Sequence, residues 1–246
     1  MTGTLVLLRE EPPVAVIRLV DEAGRNRISA GLRSGLIDAL RRAAANEANR
    51  AIVLAGLPEM FCAGAPAERM LGGRTGRVEE MWELVRSVLE CPIPVVAAAQ
   101  GHAFGGGLLL ALYADVTVLS ERSRYSANFA RYGFTPILGA TYLLPAMLGR
   151  ALGTEMLYTG ANYSGRALAD RGAGVRVCQH DTVRAVAEQA ARDLACAPRQ
   201  TVELLKRQLR APVRRAALRA LRREAADHEA TIATAHARAR IRELSR

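Results

Sequence analysis

Short, almost wholly apolar runs recur along the first half of the chain: "VAVIRLV", "AIVLAG", "VVAAAQG" and "VTVLSE". Each reads as a buried strand, and helical stretches alternate with them. "TLVLLRE" is a further strand, turned into "VAVIRLV" by "EPP", and "SAGLRSGLIDALRRAAANE" has helical periodicity with Ser29 as its cap. Residues 77–90 read as helical before "CPIP" breaks the chain, "FCAGAPAERM" as the way into a loop, and "RYSANF" as a strand. "GATYLLPAMLGRALGTEMLYTG" is helical, and from Thr182 onward helices follow one another, separated near Pro198 and Pro212. This alternation with a helical end predicts an α/β core, residues 1–185, and a helical C-terminal region, 186–246.

A chain of 246 residues, half of them apolar, can bury a substantial core as one large domain or a domain with a small appendage. No apolar run approaches the ~18–20 residues of a membrane span. The opening "MTGTLVLLREEPP" lacks the pattern of a secretory signal, and four scattered cysteines form no CxxC pair or metal-spaced cluster. A reduced, cytoplasmic protein without a metal site is expected. Residues 199–246 carry thirteen Lys/Arg against five Asp/Glu, hence +8 of the net +10. Such a surface suits a phosphorylated cofactor, an acidic protein, a membrane or nucleic acid, and the absence of interleaved aromatics argues against nucleic acid.

Two stretches share one chemical feature. "FCAGA" (61–65) and "GHAFGGG" (101–107) each follow a short buried strand and present backbone with small side chains. Glycine is the worst ordinary residue for starting a helix, yet Gly105–Gly107 run straight into "LLLALYAD". Bare N–H groups at a helix start are unpaired and sit at the positive end of the dipole. Two of them aimed at one oxygen stabilise an anion developing on a thioester carbonyl.

With "FCAGA", "PIPVVAAAQGHAFGGG", "ALYADVTVLSE", "GFTPILGATYLLPAMLG" and "YTGANYSGRALADRG", the whole chain resembles the crotonase (enoyl-CoA hydratase/isomerase) superfamily. The resemblance implies a spiral core of repeated ββα units and C-terminal helices that form a trimer or a dimer of trimers. It also assigns the two oxyanion N–H groups to Ala65 and Gly106. Hydratases of that family carry two glutamates, at positions occupied here by Leu109 and Phe129. Losing one positioned acid or base typically costs about 10²–10⁴-fold, so ordinary hydration is not expected.

Decarboxylation needs no base to make the enolate. The chain is most similar to the decarboxylating members of polyketide β-branching cassettes, through "YSANFARYGFTP", "YTGANYSGRALADRG" and "EAADHEATI". That resemblance implies conversion of a 3-methylglutaconyl thioester to a 3-methylcrotonyl-type product. The acyl group would ride on the phosphopantetheine of an acyl carrier protein or on CoA, with no other cofactor. It places His228 at the site as proton donor and Asn128, Phe129 and Tyr132 around the substrate. Relatives have Tyr and Lys in the loop after the first stretch; here Arg69 and Gly73 stand there, with Arg74 adjacent, so Arg69 or Arg74 is expected to hold the leaving carboxylate. His102 is a structural or catalytic candidate. Dehydration or isomerisation of a related thioester, and an RNA-binding homologue, are the alternatives.

Overall fold

The apolar runs become the strands of two sheets in a computed structural model that describes residues 4–72 and 77–244. The chain opens with β1 (Val6–Glu11) and β2 (Val14–Leu19), an antiparallel hairpin, followed by α1 (Ala30–Ala45). Next come β3 (Ala51–Ala55), β4 (Met60–Cys62), α2 (Ala67–Leu71) and α3 (Arg77–Leu89). The pattern repeats with β5 (Val95–Ala99), β6 (His102–Phe104) and α4 (Gly106–Leu112). It repeats again with β7 (Val116–Ser120), β8 (Arg124–Ser126), α5 (Ala140–Leu148) and α6 (Arg150–Thr159). The chain then runs through β9 (Tyr163–Ser164), α7 (Gly165–Asp170), β10 (Arg176–Cys178), α8 (Val183–Leu194), α9 (Arg199–Ile232) and α10 (Ala235–Leu244).

In the pairs β3/β4, β5/β6 and β7/β8 the first strand joins a large sheet of order β1-β2-β3-β5-β7-β10, and the second joins a small sheet of order β4-β6-β8-β9. In the large sheet every pair after the β1–β2 hairpin is parallel. Successive side chains of a strand point to opposite faces. Ile17, Ile52, Leu54, Val95 and Ala97 therefore enter the main core, while Val16, Val53, Val96 and Ala98 meet Val183, Ala187 and Ala191 of α8. Burial on both faces explains why these strands read as continuous apolar runs.

The boundary expected at residue 185 falls inside α8, whose apolar face covers the large sheet. The helical stretch expected over 139–160 is two helices, because Gly149 at φ +88° reverses the backbone between α5 and α6. Conversely, Pro212 does not end a helix: α9 runs unbroken through it, with Pro212 itself exposed. The missing N–H of a proline ordinarily weakens a helix by ~3 kcal/mol, and here anchors on both sides offset it. Before the proline, Lys206 Nζ lies 2.7 Å from Asp115 Oδ2 and donates to the Ile93 carbonyl at 2.9 Å. Arg210 Nε lies 2.7 Å from Asp115 Oδ1, and Val95 N–H donates to Oδ2 of the same carboxylate. After it, Ala217, Ala220 and Leu221 are buried.

Asp115 is thus one part-buried anion serving two cations and a strand amide. Removing it leaves both cations uncompensated, whereas Lys206→Met leaves Asp115 paired with Arg210. Asp115→Ala is expected to lower unfolding stability in denaturant by about 3–5 kcal/mol, and Lys206→Met by well under half of that. The opposite ranking would contradict this account of how α9 is anchored.

Candidate active site

Parallel pairing of β4, β6 and β8 sends three loops out of the same end of the small sheet. The first carries Ala63–Gly64–Ala65, the second Gly105–Gly106, the third Asn128–Phe129. The first loop is braced from behind. Buried Asn26 donates to the carbonyls of Leu19, Met60 and Phe61, Ala63 N–H donates to Arg25 O, and Ile28 N–H donates to Gly64 O at 2.8 Å. The second is held by Gly105 N–H on Ser126 O at 2.8 Å, with Gly105 at φ +50°, where a side chain would also press on Asn128 Oδ1 at 3.0 Å.

Within this frame the N–H groups of Ala65 and Gly106 donate to no protein acceptor among the described residues, and both residues line one cavity of about 340 Å³. Gly106 N lies 3.7 Å from where a Cβ on Gly64 would sit, so the two loops are in close apposition. The glycines divide the work. A Cβ on Gly106 would meet Ile28, Met81 and Leu138 side chains at 3.5–4.0 Å, ordinary contacts at the cavity wall. A Cβ on Gly107 would lie 2.3 Å from the Cys62 carbonyl oxygen, so Gly107 is required by the packing of α4 on β4.

Much of the remaining wall is apolar and aromatic, with Met70, Met81, Ile137, Leu138, Phe129, Tyr132 and Phe134. Phe134 stacks on Tyr132 with ring centroids 5.9 Å apart and meets His228 edge-on at 5.3 Å. His228, on α9, lies at the wall with Nδ1 2.7 Å from the Thr135 carbonyl. A carbonyl only accepts, so Nδ1 carries the proton and Nε2 is the atom left to exchange one. Burial pulls the His228 imidazolium below the ordinary histidine value, against the opposing effects of the Thr135 carbonyl and the Glu224 and Glu229 carboxylates.

Glu224, one turn before His228, sets this geometry. Its buried carboxylate accepts from Gly139 N–H (2.7 Å), Thr141 N–H (2.8 Å) and Thr141 Oγ1 (2.5 Å), capping the N-terminus of α5 from another helix. Thr135 N–H donates to Thr231 Oγ1 at 3.0 Å, a second tie between α9 and the 133–141 loop.

The structure brings Ala65, Gly106, His228, Arg69, Asn128, Phe129 and Tyr132 to this one cavity. Arg74 lies outside the described residues. Arg69 Nη2 sits 2.8 Å from Glu80 Oε2, an oxygen that Arg33 approaches at 3.0 Å, so this guanidinium meets an internal carboxylate. Of the two positions that lack glutamate, Phe129 faces the cavity, while Leu109 is fully buried in α4. His102 is away from the cavity and accepts from Arg124 N–H at 3.0 Å, a structural contact. Glu224, Thr135, Phe134 and Arg238 are not evident from sequence, because each acts through a contact distant along the chain.

Residues 9–243 match the family model for enoyl-CoA hydratase/isomerase. The chain belongs to that family. It is 35% identical over 246 residues to the bacillaene synthase decarboxylase PksI of Bacillus subtilis, covering 99% of both chains. It is 32% identical over 211 residues to the probable enoyl-CoA hydratase EchA14 of Mycobacterium tuberculosis, covering 84% of this chain and 81% of the other. Among solved structures it superposes on one from a dehydratase/decarboxylase enzyme couple involved in polyketide β-branching, with TM-score 0.93, 35% identity and 98% of each chain covered. The ECH2 decarboxylase domain of CurF from Lyngbya majuscula gives TM-score 0.90 and 34% identity, covering 98% of this chain and all of that one. The family fold matches the two-sheet arrangement described above, and the PksI protein and the CurF domain, each similar over nearly the whole chain, are decarboxylases.

The distinct roles of neighbouring glycines can be tested. Gly106→Val keeps the N–H but places a branched side chain at the cavity wall in front of it, so the protein should fold while turnover falls by about 10²–10³-fold, the scale of losing one oxyanion donor. Gly107→Ala is expected to lose stability by about 1–3 kcal/mol, as for other overpacked cores. Near-normal turnover in a folded Gly106→Val would mean that the carbonyl does not approach that amide.

Proposed function

We propose that this enzyme decarboxylates a 3-methylglutaconyl-type thioester, carried on an acyl carrier protein, to a 3-methylcrotonyl-type product during polyketide β-branching. The observation that carries the reading is two N–H groups, of Ala65 and Gly106, with no protein acceptor among the described residues, in a largely apolar cavity whose walls present Phe129 where a hydratase has a carboxylate. The thioester oxygen accepts from both amides. The bond to the terminal carboxylate breaks, its electron pair passes through the diene onto that oxygen, and carbon dioxide leaves. The largely apolar wall, with Met70, Ile137 and Leu138, limits hydration around the reacting group and favours the neutral product. His228, fixed through Nδ1 on Thr135, delivers a proton from Nε2 to the α or γ carbon of the dienolate.

Exposed Arg215, Arg219, Arg222 and Arg223 on α9 offer a cationic face to an acidic carrier protein. Not all of the basic tail serves that purpose: Arg199 donates to the carbonyls of Ala44, Asn46 and Asn49 at the end of α1. Exposed Leu204, Leu205 and Leu209 support self-association through α9, as a trimer or a dimer of trimers. No helix among the described residues is long and apolar enough to cross a membrane.

Mass spectrometry of 3-methylglutaconyl carrier protein incubated with the enzyme tests the reaction: the acyl group should lose carbon dioxide, and an unchanged or hydrated acyl group would refute it. The histidine's role has a pH signature. Because the charged form donates and burial disfavours it, kcat/KM should fall as pH rises through a value below the ordinary histidine range. The limb in kcat should lie at higher pH, since the bound carboxylate stabilises the imidazolium. His228→Ala should abolish both limbs and, in deuterated water, mix the α- and γ-labelled products. Unchanged limbs and label position would make the histidine structural.

A further inference from the structure

We propose that Arg238 holds the carboxylate that departs as carbon dioxide, and thereby selects diacid over monoacid thioesters. The inference rests on the decarboxylase reading of the same cavity. Among the described residues two arginines line that cavity, Arg69 from α2 and Arg238 from α10. They are not equivalent. Arg69 is within ion-pair distance of Glu80, which Arg33 also approaches. Arg238 makes no ion pair among the described residues, and its side chain reaches the same wall as His228, Ile232 and Ala233.

The placement of Arg238 follows from the helix that carries it. Ala237 and Ile241, one turn apart, are fully buried and dock α10 against α2 and the 130–132 turn. Thr234 starts the helix, accepting from Ala237 N–H through Oγ1 and from Arg238 N–H through its carbonyl. A residue next to the buried Ala237 has little freedom to leave the cavity rim. The carboxylate nearby is exposed Glu229, which also lines the wall and repels an incoming anion, so a cation is needed there for a diacid to enter.

A planar guanidinium meets a carboxylate through two parallel N–H···O bonds. Those bonds are strongest with the ionised substrate and fade as the carboxylate becomes neutral carbon dioxide. Arg238 therefore stabilises the bound substrate more than the transition state, and its loss should appear in KM rather than in kcat. An arginine that instead touched the phosphate of a phosphopantetheine arm would bind diacid and monoacid carriers alike.

The test compares wild type, Arg238→Gln and Arg238→Lys, each checked for unchanged thermal unfolding. KM and kcat are measured on 3-methylglutaconyl carrier protein, and Kd on the diacid and on 3-methylcrotonyl carrier protein. Arg238→Gln should raise KM about 10-fold or more, the worth of a charged hydrogen-bonded pair, with kcat unchanged or increased. Its Kd for the monoacid should match wild type, and Arg238→Lys should recover part of the loss. An unchanged KM, or a parallel loss of diacid and monoacid binding, would overturn the assignment. Wild type that releases no carbon dioxide would refute the reaction instead. The anchor would still be upheld by a diacid preference in Kd that Arg238→Gln removes, and overturned if that preference is absent.

Discussion

Everything at the site depends on the parallel pairing of β4 with β6. Two three-residue strands, neither of which could persist alone, deliver two loops to one point, and each loop carries a main-chain N–H with no protein acceptor among the described residues. Orphaned donors in a dry cavity are costly to maintain. Their maintenance is spread over the fold: Asn26 and Ile28 brace the first loop, and Ser126 and the Gly107–Cys62 contact fix the second. Those contacts are fixed before substrate arrives, so little reorganisation is needed when charge develops on the thioester oxygen.

The same scaffold yields different chemistry according to what surrounds the oxyanion site. With Leu109 absorbed into the core and Phe129 on the wall, neither position can move a proton. In the proposed reaction the proton comes instead from His228, which α9 brings to the same cavity. That helix is secured at one end by Asp115 and nearer the site by Glu224, so a helix outside the ββα repeat completes the catalytic cavity. α10 continues the same wall with Arg238.

Much of this was legible in the residues. Buried strands such as "AIVLAG" and "VVAAAQG" announce themselves by composition, and the paired small-residue loops identify the Ala65 and Gly106 amides through the family resemblance. The short strands β4, β6, β9 and β10 carry too few residues for any periodicity and are defined by their partners. Pro212 reads as a break because local propensity ignores Asp115, which is distant along the chain but paired with Lys206 and Arg210 just before the proline. Glu224 looks like one more surface acid on a charged helix, and only the fold reveals the three donors that surround it. Arg69 shows the converse: its position in sequence was correct for the cavity, but the Glu80 carboxylate beside it comes from a different helix.

The central claim is that this cavity stabilises an enolate but presents Phe129, with Leu109 buried in the core, at the two positions from which hydratases of the family add water. It is tested most directly by incubating the enzyme with crotonyl-CoA and following 3-hydroxybutyryl-CoA. The account predicts no detectable hydration by an enzyme preparation that is folded and active on the diacid. Hydration at a rate typical of enzymes, about 10 s⁻¹ or more, would contradict it.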